Sequence, residues 1–149
     1  HKSGSYSQYD FSNGESSLEI KTTMSDTSEV TIKHQQIFND HSCTLVIVNC
    51  EQYENGETLE EVITTMYSDP DAFNNIYFSI NLAKELKRVS TSDVKKIRFG
   101  VRQILFFSTE DINPFPFIPD NVSKLSYKLD ISELPSLSES ISDSILETY

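Results

Sequence analysis

The eight residues Cys43 to Cys50, CTLVIVNC, limit the possible folds more than any other part of this chain. Leu45–Val48 is a continuous apolar run with no polar break. A strand with one wet face alternates apolar and polar side chains, whereas an unbroken run suits a strand covered on both faces. The chain must therefore lay structure on each side of this segment. Its 149 residues fit one domain and are enough to bury a real core. The two cysteines follow from the same geometry. Along a strand, seven residues separate them by roughly 23 Å and point them to opposite faces, too far apart for a disulfide. They read as reduced core or near-core thiols of an intracellular protein.

Other segments share the β signal. Leu18, Ile20 and Thr22 alternate, then Val30, Ile32 and His34, with MSDTSE as the turn between them. Leu125, Tyr127 and Leu129 alternate with Lys124, Ser126 and Lys128. Residues 58–68 carry two patterns. Leu59, Val62, Ile63, Met66 and Tyr67 fit a helical stripe behind a Thr58/Glu61 capping box. The β-branched run Val62–Thr65 favours a strand. Turn chemistry at Ser68-Asp69-Pro70-Asp71, followed by alternation of Ile76, Phe78, Ile80 and Leu82, predicts a β-hairpin around Asp69-Pro70. Three prolines in Asn113–Pro119 predict a rigid loop.

Charge is unevenly spread. The net charge is −11, yet seven of the twelve basic residues (Lys84, Lys87, Arg88, Lys95, Lys96, Arg98 and Arg102) fall in one run. That run holds only the acids Glu85 and Asp93, so it carries about +5 locally. Ser92 as N-cap and the stripe Val94, Ile97, Val101, Ile104 and Leu105 predict a helix from Ser92 to Phe107, despite a cost of about 1 kcal/mol for Gly100. A strand with Lys96, Arg98 and Arg102 outward is the alternative, and either way the cations share a face. Three uses of that face stay open: balancing acids of the same molecule, docking an acidic partner, or touching nucleic acid or an anionic membrane. Only Phe99 interleaves the cations, poor provision for base stacking. An acidic chain is also a poor nucleic-acid binder as a whole. Lys87-Arg88-Val89-Ser90 resembles a basophilic kinase site, where phosphate would offset part of the patch.

Chemistry-bearing motifs are scarce. His34, His41, Cys43 and Cys50 match no standard zinc spacing. The acid pairs Glu60-Glu61 and Asp69/Asp71 read as solvated helix ends and turns. There is no nucleophile elbow, P-loop or GxGxxG, and no apolar run long enough to span a bilayer. Asn121-Val122-Ser123 is a glycosylation sequon without any sign of secretion. These readings predict no catalytic residue, no metal and no cofactor.

The segments MYSDPDAFNNIYFSINL (66–82), STSDVKKIRFGVRQI (90–104) and INPFPFIPDNVSKLSYKLD (112–130) together resemble the central part of a HORMA domain. This fold is shared by meiotic chromosome-axis proteins, a spindle-checkpoint protein and autophagy scaffolds. The resemblance covers about half the chain. Residues 1–57 lack the family's long opening helix, and the stretch after Asp130 is shorter than its seatbelt. It implies a non-catalytic adaptor that adds a partner peptide to a sheet edge, or pairs with a second HORMA-like subunit. Here the edge would be Lys124, Leu125, Tyr127 and Leu129.

The expectation is therefore an α+β protein with a mainly antiparallel sheet backed by one or two helices. Residues 1–16 form a tail or tag remnant, 17–131 a single domain, and 132–149 an acidic Ser-rich tail or a last helix capped by Ser136 and Glu139. A chain starting at His1 reads as a fragment or processed product. The expected function is partner binding in a eukaryotic, nuclear or cytoplasmic, assembly. Partner contacts fall on the edge strand and on Lys84, Lys87, Arg88, Lys95, Arg98 and Arg102. The alternative is a pleckstrin-homology-like module binding phosphoinositide or nucleic-acid phosphate through the same cations.

Overall fold

The computed structural model describes residues 9–12, 15–24, 28–37, 42–70, 74, 76–89, 91–113 and 117–147. It is a mixed α+β structure with a mainly antiparallel sheet and a few helices. The chain divides into two units, residues 1–49 with 102–149, and residues 50–101.

In the first unit the apolar run does what its pattern requires. It lies in β4 (Ser42–Thr58), inside a sheet of order β1-β2-β4-β5. β1 (Phe11–Ser12) and β2 (Ser16–Thr23) form an antiparallel hairpin with Phe11 opposite Leu18. β2 pairs in parallel with β4, from Ser16 opposite Ser42 to Thr23 opposite Asn49. β5 (Arg98–Ser108) flanks β4 on the other side, and the Thr109 hydroxyl donates to the Cys43 carbonyl at 2.8 Å. A parallel pair needs a crossover. This one carries β3 (Glu29–Lys33) and α1 (His34–Ile37). β3 pairs antiparallel with β6 (Ser126–Asp130), Val30 opposite Leu129 and Ile32 opposite Tyr127.

Alternation along β4 then divides the core. Leu45 and Ile47 pack with Val30, Ile32, Ile37, Phe107 and Ile131 under the β3–β6 ribbon. Val46 packs with Leu18 and Phe106 on the opposite face, against Leu137 and Ile145. Ile145 belongs to α5 (Glu139–Leu146), and the Leu137 N–H donates to the Phe106 carbonyl at 2.8 Å. Leu45 and Ile32 are 0% exposed. Each such side chain contributes about 1.5–3 kcal/mol of burial. Ser138, not Ser136, stands at the N-cap of α5, and its side chain makes no capping bond.

In the second unit, helices replace the expected hairpin. α2 (Leu59–Ser68) and α3 (Ile76–Leu86) flank Asp69-Pro70. The capping box decides the first. Thr58 Oγ1 accepts from the Glu61 N–H at 3.2 Å, and a Glu61 carboxylate oxygen accepts from the Thr58 N–H at 2.7 Å. Two otherwise orphaned donors are satisfied at once. The β-branched run is tolerated there, with the Thr64 hydroxyl donating to the Glu60 carbonyl at 2.8 Å. In α3 the apparent period of two is coincidental, since Ile76 and Ile80 fall four apart on a helix and are both exposed.

The long basic helix is likewise corrected. α4 (Thr91–Lys96) is short, and β5 begins at Arg98. Val101 and Ile104 are exposed, while Phe106 and Phe107 are buried. Aromatic and branched residues beyond Gly100 favour the strand. Gly56 is required here: a Cβ would lie 2.1 Å from the Phe99 carbonyl oxygen. The order of hairpin, basic helix and strand that carried the HORMA resemblance is therefore absent. Expectations resting on His41, Asp71, Ser90 and Pro114–Pro116 fall outside the described residues, as do 1–8, 13–14 and 25–27 of the tail and first turn.

Candidate active site

β2 runs between β1 and β4, so charged side chains on it are costly unless they are partnered. Leu18 and Ile20 face the α5 side. Glu19 and Lys21, of opposite parity, point to the other face. Glu19 is only 2% exposed. Its Oε1 accepts from the Lys21 ammonium and, at 2.6 Å, from the Gln36 side-chain amide. Gln36, on α1, accepts in turn from the Lys33 N–H at 3.2 Å and from Lys21 Nζ at 3.4 Å. Glu19 Oε2 is buried with no hydrogen-bond partner.

Asp10 completes the cluster. It lies just before β1, and its Oδ2 accepts from the Ile20 N–H at 2.8 Å. The hairpin thus carries an exposed carboxylate back beside the buried one. Burial pushes the Glu19 carboxyl above its ordinary value, and Asp10 pushes the same way against the opposing pull of Lys21 and Lys33. Burial, then Glu19, push the Cys43 thiol up to about 11, so it stays protonated at neutral pH and is no nucleophile. Burial first, then Cys43 and Glu19, raise the Tyr9 phenol too.

Among the described residues no group of three or more His, Cys, Asp or Glu gathers as a metal site. Two carboxylates are nevertheless enough for a hard divalent ion such as Mg2+, which keeps several of its waters. Both recorded partners of Glu19 Oε1 are donors, and the orphaned Oε2 is an acceptor without a donor. A cation satisfies that atom, so the residues fit a metal.

The residues expected to bind a partner lie elsewhere. Lys84 lies in the last turn of α3, and Lys87 and Arg88 follow the helix, with Arg88 paired to Glu85 at 2.8 Å. Lys95 on α4 pairs with Glu60 at 3.2 Å. Arg98 grips Glu61 with two nitrogens, at 3.0 and 3.1 Å, and donates to the Gly56 carbonyl at 2.7 Å. Arg102 is an exposed residue of β5. The cations are thus distributed over α3, the turn after it, α4 and β5. Of the edge residues, Tyr127 and Leu129 lie in β6, paired to β3 and packed on the core. Lys124 and Leu125 precede β6, and the Leu125 carbonyl accepts from the His34 N–H at 2.9 Å.

Sequence reasoning passed over Asp10, Glu19, Lys21 and Gln36. The available signal was a Glu-x-Lys pair inside a strand, nine residues after an Asp and across a turn.

A family model described as "Putative PD-(D/E)XK family member" (DUF4420) matches residues 2–132. No curated protein and no solved structure matches the chain. The signature in that description is Pro-Asp followed by Asp/Glu-x-Lys; Tyr9-Asp10 and Glu19-Ile20-Lys21 have this form except that Tyr9 stands where the Pro would be. The match overturns the HORMA resemblance. With it go the chromosome-axis, checkpoint and autophagy settings and the expectation of a non-catalytic adaptor, because the family points toward a nuclease-like enzyme. The chain belongs to the DUF4420 family.

Proposed function

We propose that this chain is a divalent-metal-dependent nuclease, hydrolysing phosphodiester bonds at the Asp10–Glu19–Lys21 cluster. The observation that carries this reading is the buried Glu19, with one oxygen tied to Lys21 and Gln36 and the other unpartnered, beside Asp10 on the same hairpin. Asp10 and Glu19 would hold the metal. When bound, it would polarise a phosphoryl oxygen and acidify water. Lys21 keeps an ammonium within reach of the same point, where its three donors suit a phosphate or the charge that develops during hydrolysis. The Ile20 N–H fixes Asp10, so the two carboxylates are held by one strand's backbone. A chain of net charge −11 would hold nucleic acid through few phosphate contacts, giving a shallow dependence of binding on salt.

The test is cleavage of single- and double-stranded DNA and RNA in Mg2+ or Mn2+, with EDTA controls. Lys21→Ala and Asp10→Asn should each lower the rate by about 100-fold or more. Absence of cleavage of every substrate in either metal would refute the proposal, as would full activity of Lys21→Ala.

A further inference from the structure

We infer that Gln36 is a positioning residue of this site, aiming Glu19 Oε2 at the metal. This rests on the metal-dependent reading above. Gln36 is 9% exposed, and its neighbour Ile37 is buried in the core, so α1 seats the side chain firmly. An amide alone does not reveal which end is oxygen, but its partners do. The Lys33 N–H and the Lys21 ammonium can only donate. The atom they meet must therefore be Oε1, and the NH2 end must face Glu19. Gln36 is thus locked in one orientation by a backbone group. Its amide nitrogen in turn locks Glu19 Oε1 at 2.6 Å.

The carboxylate plane is fixed as a result. Oε1 faces Gln36 and Lys21, and Oε2 is left without a partner. Gln36 also accepts from Lys21, so one side chain sets the positions of both the metal-holding oxygen and the phosphate-facing ammonium. Groups that orient a metal ligand in this way typically change metal affinity by about 10–100-fold when removed.

The test is calorimetric titration with Mn2+ of the full chain, Gln36→Leu and Gln36→Met, each well below its own melting midpoint. The Met variant keeps the length of the side chain without its polar ends. Both variants should bind Mn2+ about tenfold or more weakly, and saturating Mn2+ should restore part of the lost cleavage rate. Folded variants with unchanged Mn2+ affinity, even with a lowered melting midpoint, would overturn the inference and reduce Gln36 to a structural residue. A native chain that binds no Mn2+ would instead overturn the metal-dependent reading itself, and Gln36's role with it.

Discussion

Glu19→Gln should stabilise the fold while abolishing function. Glu19 is 2% exposed, and burial raises its carboxyl above the ordinary value. The folded state thus holds the proton more tightly than the unfolded chain does. Stability is greatest below the unfolded carboxyl's range and falls as pH rises through the folded value. At neutral pH the ionised form is a burden, and its unpartnered Oε2 alone represents about 1–3 kcal/mol. A glutamine keeps Oε1 as acceptor for Gln36 and Lys21, losing roughly 1 kcal/mol of charge assistance. It also places a neutral amide where Oε2 was; its NH2 meets no acceptor there but is cheaper to bury than an unpartnered charge. The net gain is at most about 1 kcal/mol, or about 2–4 °C in Tm for a chain of this size. The assay is thermal unfolding by circular dichroism in EDTA, from about pH 4 to pH 8. The two melting curves should coincide at the acid end and separate as pH rises, the variant being the more stable. A variant less stable at neutral pH, or a gap independent of pH, would refute this account of Glu19.

Leu45→Ala should cost about 2–5 kcal/mol in urea unfolding, because this fully buried side chain sits in the main core. Thr58→Ala removes the side-chain half of the α2 capping box and should cost about 1 kcal/mol, read as a lower urea midpoint. Cys43, buried and pushed up to about 11, should resist iodoacetamide at pH 8 until the chain is unfolded, as read by mass spectrometry.

The core was legible where one pattern had one cause. Leu45–Val48 demanded two covers, and the β3–β6 ribbon and α5 supply them. Val30/Ile32 and Tyr127/Leu129 alternate as strands do, and they pair with each other. Reading failed where two patterns overlapped. The stripe of 59–67 and its capping box spoke for helix, the branched run Val62–Thr65 for strand, and backbone capping prevailed. Over 92–107 the apolar stripe speaks for one long helix and the alternative for a strand; Gly100 and the aromatic residues after it suit the strand, which holds from Arg98. The site was hidden by parity. Leu18, Ile20 and Thr22 marked the apolar face of β2, which leaves Glu19 and Lys21 looking like its wet face. A crossover then brings Gln36 over them, and no local pattern announces that contact. Charge clustering drew attention to Lys84–Arg102, where Arg88, Lys95 and Arg98 pair with Glu85, Glu60 and Glu61 of this same chain.

The most direct measurement is the anomalous difference density of a crystal soaked in Mn2+. A peak between Asp10 and Glu19, on the Oε2 side of the Glu19 carboxylate and about 2.0–2.3 Å from its coordinating oxygen, is the predicted result. A soaked crystal in which Mn2+ orders only at other residues, with Glu19 Oε2 still unpartnered, would contradict the metal-dependent site.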